Sequence, residues 1–159
     1  PVENELKTEG RKTSRAYWDS VHRVRVRSGL PSRLLVPTSN ILRLLTPYVA
    51  PRSRVLEIGF APGKILLWLA ARKLADVSGI DYSAPGVTVA ERLFESCGIR
   101  ADLRCEDLFN SSLPKDAFDV VYSLGVIEHF TDPRDVVRRH LALVRPGGVH
   151  NVALHAAAR

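Results

Sequence analysis

A chain of 159 residues with 45% hydrophobic and 25% charged residues, 10 Gly, 10 Pro and 2 Cys has the make-up of one folded domain. That excludes a disordered, collagen-like or disulfide-stapled protein, and at this length folding buries roughly 68 to 70% of the unfolded surface, enough for a core without cross-links. The net charge of +6 is uneven, because residues 1–54 hold 11 Lys/Arg against 4 Asp/Glu and residues 55–159 hold 12 against 13.

The basic character belongs to the N-terminal third. There Arg23, Arg25 and Arg27 alternate with Val24 and Val26, as a strip for anions or as a solvated face. No aromatic signature of an RNA-binding sheet interleaves with those arginines, so nucleic acid is disfavoured as a partner. Apolar runs such as 65–71 fall far short of the about 20 residues that span a bilayer, and no signal-peptide pattern opens the chain, which points to a cytoplasmic protein. Cys97 and Cys105 have neither CxxC nor Cys/His spacing and are expected to be small core residues, with no disulfide and no metal.

In chain order, residues 1–34 carry no clear pattern, and Thr38 or Ser39 is placed to cap a helix bearing Ile41, Leu44 and Leu45 up to Pro47. From about residue 53 short β-rich runs alternate with helical patterns, the signature of βαβ units feeding a parallel sheet. Residues 54–58 (RVLEI) read as a first strand ending at Gly59, and 62–74 as a helix so apolar all round that it must be heavily covered. Residues 76–81 (DVSGID) form a second strand; Ser83, Ala84 and Pro85 start a helix that runs to Cys97 and closes at Gly98, with Val87, Ala90, Phe94 and Cys97 on its inner face. Residues 101–105 and 118–123 read as the third and fourth strands. Thr131 or Asp132 caps a further helix with Pro133 in its first turn and Val136, Val137, His140, Leu141 and Val144 as its buried stripe, broken by Pro146-Gly147-Gly148. Residues 149–154 complete the set as a fifth strand.

The expected fold is α/β: a Rossmann-like, doubly wound, mainly parallel sheet of about five strands in the order 3-2-1-4-5, with helices on both faces. Residues 1–50 would be a basic helical or lid segment and 51–159 the ligand-binding domain. In such a fold the ligand sits beyond the carboxyl ends of the strands. That singles out 59–64, 81–83, 107–108 and 123–130.

Gly59 and Gly63 let a ligand approach the backbone closely, or merely shape an ordinary βα turn. A dinucleotide G-x-G-x-x-G fails at Ala61 and Lys64, and a Walker loop on Gly63-Lys64 fails at Ile58 and Ile65. Asp81, 22 residues after Gly59, stands where a carboxylate accepts from a ribose diol, or else caps the next helix. Asp107 is an acceptor for the exocyclic amine of a base, or a turn aspartate.

Taken together, VLEIGFAPG, GIDYS, CEDLF, FDVVYSLGVIEHF and LVRPGG, in order between about Val55 and Gly148, resemble the class I S-adenosylmethionine-dependent methyltransferases. The resemblance implies that Glu57 and the loop Gly59, Phe60, Ala61 and Gly63 hold the methionine part of the cofactor. It gives Asp81 to the ribose, Asp107 and Leu108 to the adenine, and Ser123 and Leu124 to backbone contacts with the methionine amine, with Tyr82 also among the cofactor-binding residues. Ala61 stands where many members have Gly. Residues 125–130 resemble the acceptor-facing segment of small-molecule and quinone O-methyltransferases, with His129 as general base and Glu128 beside it, or both merely shaping the pocket. A free imidazole titrates near roughly 6.5, which suits deprotonating a hydroxyl at neutral pH. The Asn/Asp-Pro-Pro-Tyr pattern of relatives that methylate nucleobase or glutamine nitrogens is absent, which disfavours that substrate class, and Gly125 removes a ligand that a metal-dependent RNA 2′-O-methyltransferase would need, so no metal is expected.

Residues 17–19 (Tyr-Trp-Asp) resemble an N-terminal cover of the family, or else pack on the domain. The family's last two strands have no counterpart before Arg159, so the chain is expected to be C-terminally truncated, with reduced turnover, and to offer an open sheet edge through which it could form a homo-oligomer. The implied activity is methyl transfer from S-adenosylmethionine to a hydroxyl or other nucleophile of a small-molecule acceptor. The alternative is a non-catalytic cofactor- or partner-binding module whose basic N-terminal third is its interaction surface.

Overall fold

The structure is a computed structural model that describes residues 10–23 and 39–154. Arg25 and Arg27 of the alternating strip and the Thr38 cap lie outside the described residues. A five-stranded parallel sheet runs β3-β2-β1-β4-β5, from β1 (Arg54–Ile58), β2 (Asp76–Asp81), β3 (Asp102–Cys105), β4 (Phe118–Leu124) and β5 (Val144–Ala153). The order and direction are those expected from the βαβ alternation and right-handed crossovers. The helices are α1 (Arg15–His22), α2 (Ser39–Leu45), α3 (Lys64–Lys73), α4 (Ala84–Ser96) and α5 (Pro133–Leu141).

Alternation of side chains along each strand distributes the core between two faces. Val55, Val120 and Tyr122 point into one apolar cluster with α2, α3 and α4, while Leu56, Ile58 and Val121 point into the other with Ile80, Leu113, Phe118 and Leu143. The all-round apolar helix is covered as expected, since Ile65 through Ala70 are all buried in α3. The cap of α4 is also where the sequence puts it: Ser83 Oγ accepts from Gly86 N at 3.3 Å. Asp132, of the two candidates, caps α5 through Arg134 N at 2.9 Å.

Some expectations are corrected. On α2 it is Ile41, Leu42 and Leu45 that are buried, and Leu44 is exposed. On α5, Val136 and His140 face inward but Leu141 is exposed, because the helix ends there and its last residue turns away from the sheet. Val144 belongs to β5, which therefore starts earlier than 149. Phe118 faces Val144 but Val120 faces Val149, so Arg145-Pro146-Gly147-Gly148 is extruded as a bulge in the ladder and does not terminate the helix. Cys105 is exposed and Cys97 half-buried, so only Cys97 packs against the core. Among the described residues no helix is long and apolar enough to cross a membrane.

Candidate active site

The loops after β1, β2, β3 and β4 converge at one end of the sheet, and α1 with the residues before it lies across them. Between them is a cavity of about 280 Å³, near the lower end of the roughly 300–1,000 Å³ typical of ligand clefts. Its floor is Ile58, Gly59, Ala61, Ile80 and Asp81; Tyr82, Asp107 and Leu108 form one wall, and Leu124, Gly125, Val126, His129 and Phe130 the other.

The geometry of the Gly59 loop follows from crowding. Gly59 sits at φ +69°, and a Cβ there would lie 2.5 Å from Val126 Cγ2, so only glycine lets the two loops meet. Gly63, at φ +80°, lies behind the cavity wall against Phe94 and Ala90, and Phe60 is buried in the core. These two shape the loop from behind; the cavity surface itself is Gly59 and Ala61.

Asp81 is buried and braced. Its Oδ2 accepts from Ala61 N at 3.0 Å and its Oδ1 from Ser83 N at 2.8 Å, yet the residue still lines the cavity. Burial raises its pKa, opposed by those two backbone N–H groups and by His22. A carboxylate has about four acceptor positions, so two remain for a ligand.

Glu57 stands differently from the expectation. It is buried at the end of β1 and is not on the cavity surface. Its Oε2 accepts from the Tyr122 hydroxyl at 2.8 Å, across a register in which Glu57 and Tyr122 are direct neighbours on β1 and β4. Burial pushes the Glu57 carboxyl up to about 8, against the lowering effect of Tyr122, and pushes the Tyr122 hydroxyl well above its ordinary value. Glu57 is therefore a neutral acid near pH 7 in this structure. Ser123 is likewise fully buried off the cavity surface, with its Oγ unbonded among the described residues, whereas Leu124 lines the cavity.

Asp107 lines the cavity but is engaged: its carboxylate accepts from Phe109 N at 2.9 Å and pairs with the Arg11 guanidinium. His129 lines the cavity, and Glu128 does not, although its carbonyl oxygen accepts from Lys12 Nζ at 3.1 Å. The strap that carries Arg11 is bolted on by backbone bonds, Lys12 N to His129 O and Thr131 N to Gly10 O, both 2.7 Å. Ser14 caps α1 by accepting from Tyr17 N at 3.2 Å. Trp18 then enters the cavity between two imidazoles, stacked on His22 at 5.8 Å and edge-on to His129 at 4.9 Å, while its Nε1 donates to Thr13 Oγ1 at 3.0 Å. Tyr17 stays exposed.

Sequence reasoning missed Arg11, Thr13, Val21 and His22 as lining residues, and Tyr122 as the partner of Glu57. For His22 a signal existed: with Trp18 it forms an i, i+4 pair on a capped helix. Arg11 had none.

Residues 55–148 match the methyltransferase-domain family. The chain belongs to it. The ubiquinone biosynthesis O-methyltransferase of Chromobacterium violaceum is 39% identical to this methyltransferase domain over 98 residues, 60% of the chain and 41% of that protein. Its counterpart in Rhodopseudomonas palustris is 34% identical over 100 residues, 63% of the chain and 39% of that protein. The chain thus spans about two fifths of these relatives' length. Among solved structures, the [4+2]-cyclase SpnF has a TM-score of 0.68 at 20% identity, covering 86% of this chain and 55% of its own. Phosphoethanolamine N-methyltransferase 2 of Haemonchus contortus, solved with S-adenosyl-L-methionine, has a TM-score of 0.65 at 24% identity, covering 72% of this chain and 27% of its own. At these identities the structural likeness speaks for the fold.

Proposed function

We infer that the cavity binds S-adenosylmethionine and that the protein transfers its methyl group to a hydroxyl of a small-molecule acceptor. The observation that carries this reading is Asp81: a braced, buried carboxylate at the tip of β2, with acceptor capacity left on the cavity side, beside a glycine-lined loop after β1. That donor and acceptor set fits the nucleoside end of the cofactor. Asp81 with Tyr82 would hold the ribose, Asp107 with Leu108 the adenine, and Gly59, Ala61 and Leu124 the methionine end. Glu57, Phe60, Gly63 and Ser123 would support that surface from beneath it. The cofactor, when bound, supplies a methyl group already activated on a sulfonium.

The protein's own part is then alignment and water exclusion. Trp18 covers the cavity from the strap, Val126 and Phe130 wall the acceptor side, and His129 is within the cavity to hold or take the acceptor's proton. The kinship with ubiquinone biosynthesis O-methyltransferases supports a phenolic hydroxyl as the acceptor. In this reading residues 1–50 are the cover and 51–159 the cofactor domain. The test is calorimetry with S-adenosylhomocysteine, followed by transfer of labelled methyl from S-adenosylmethionine to a panel of phenols and catechols. Saturable binding and a labelled phenol are expected; absence of binding at millimolar ligand would overturn the assignment.

A further inference from the structure

The base end of the cavity already holds a flat group from the chain itself. The Arg11 guanidinium pairs with Asp107, both side chains being only 9% exposed, and its central carbon lies 4.3 Å from the Tyr82 ring centroid, 4.9 Å from Phe130 and 5.5 Å from Phe109. A slot made of aromatic faces and one carboxylate selects a planar group that carries N–H donors on its edge. A guanidinium satisfies that description, and so does an aminopurine.

We propose that Arg11 is an internal competitor that occupies the adenine subsite, and that cofactor binding requires its side chain to leave Asp107. The proposal rests on the function inferred above and deepens it. The backbone on either side of Arg11 is fixed by the bonds of Lys12 N to His129 O and of Thr131 N to Gly10 O, and Thr131 Oγ1 also donates to Gly10 O at 3.0 Å. The strap can therefore stay docked while the long, rotatable side chain swings out, so the latch is a side-chain switch and not a detachment of the strap. Its position at the start of the strap links the two events. Arg15, whose guanidinium carbon lies 4.2 Å from the Tyr82 centroid, keeps a cation on that ring when Arg11 leaves.

A competitor that must leave lowers the apparent affinity by the fraction of molecules in which it has left. Removing it should raise affinity, which is the reverse of what removing a ligand-binding residue does. The experiment titrates the full chain and its Arg11→Ala variant with S-adenosylhomocysteine and, separately, with adenosine, which carries the base and ribose alone. Tighter binding of both ligands to R11A, on the order of tenfold, is expected. R11Q, which retains a shorter donor without charge, should gain less and serves if R11A does not fold. Unchanged or weaker binding to the variants would overturn the proposal, making Arg11 a bystander or a wall of the site. A gain confined to S-adenosylhomocysteine would also overturn it, because the effect would then lie away from the base. Failure of wild type and variants alike to bind either ligand would refute the cofactor assignment itself.

Discussion

Two buried polar regions sit on opposite sides of β4 and are built differently. At the tips of β1, β2 and β4 the buried acids are surrounded by donors, the Tyr122 hydroxyl on Glu57 and the Ala61 and Ser83 amides on Asp81. On the α5 and β5 flank, His140 is fully buried with its Nδ1 2.7 Å from Val136 O, but its Nε2, the Nε2 of His150 and the Oδ1 of Asn151 have no hydrogen-bond partner among the described residues. Burial raises the acids and lowers the imidazoles, His140 to about 4. The difference teaches that only the first region supplies hydrogen-bond donors to its buried polar groups; in the second, polar atoms are tolerated without partners among the described residues, at a cost.

The two regions must then respond to pH with opposite sign. Glu57 is protonated in the folded state up to about 8, whereas in the unfolded chain it loses its proton near 4.5, so stability falls as pH rises through that window. Relative to a Glu57→Gln variant, the wild type should lose on the order of 5 kcal/mol between those limits, read from urea unfolding at a series of pH values. A pH-independent difference between the two proteins would show that Glu57 ionises freely.

The flank gives the next largest effect. His140 is neutral when folded down to about 4 but takes a proton near 6.5 when unfolded, so its contribution is complete above 6.5 and is lost on acidification. A His140→Leu variant should be spared about 3 kcal/mol of acid destabilisation relative to wild type. If both proteins follow the same acid limb, His140 does not titrate as its burial dictates.

Removing the Asp81 carboxylate tests whether the donor-rich region is a binding site as well as a scaffold. Asp81→Ala should weaken S-adenosylhomocysteine binding by roughly 10- to 100-fold, corresponding to about 1–3 kcal/mol for an unmet polar group; equal affinity would confine Asp81 to loop bracing. The smallest effect belongs to Tyr122→Phe, which deletes one hydrogen bond without changing the packing volume much. It should cost about 1 kcal/mol in unfolding free energy, with the Glu57 limb of the pH profile moved still higher. A shift of that limb to lower pH would contradict the direction of the Tyr122 bond.

Most of the fold could be read from local patterns. Four of the five strands contain Val or Ile, β3 (Asp-Leu-Arg-Cys) following instead from the βαβ alternation, and the burial of Ile65–Ala70 follows from a helix that has no polar face. The boundary that went astray, Val144, turns on a four-residue bulge: Pro146-Gly147-Gly148 reads locally as a helix break, and only its register with β4 shows that it interrupts a strand. The site was legible to the extent that it lies just after the strands: Gly59, Ala61, Asp81, Tyr82, Asp107, Leu108, Leu124 and His129 do meet around one cavity. What stayed hidden was pairing over distance. Arg11 and Asp107 are 96 residues apart, and Tyr122 and Glu57 are 65, so no periodicity connects them. Spacing likewise could not tell that Glu57 would lie under the floor, since that follows from which face of β1 its side chain takes.

The interlock of Gly59 with Val126 has a bearing on engineering. Because the Val126 methyl stands where a side chain on Gly59 would be, the loop proposed to face the acceptor also props the loop proposed to lie beneath the cofactor. Re-tailoring the acceptor pocket at Val126 would slacken the neighbouring turn at the same time. Libraries aimed at new acceptors are better seeded at Phe130 and His129, which border the same hollow without wedging that turn.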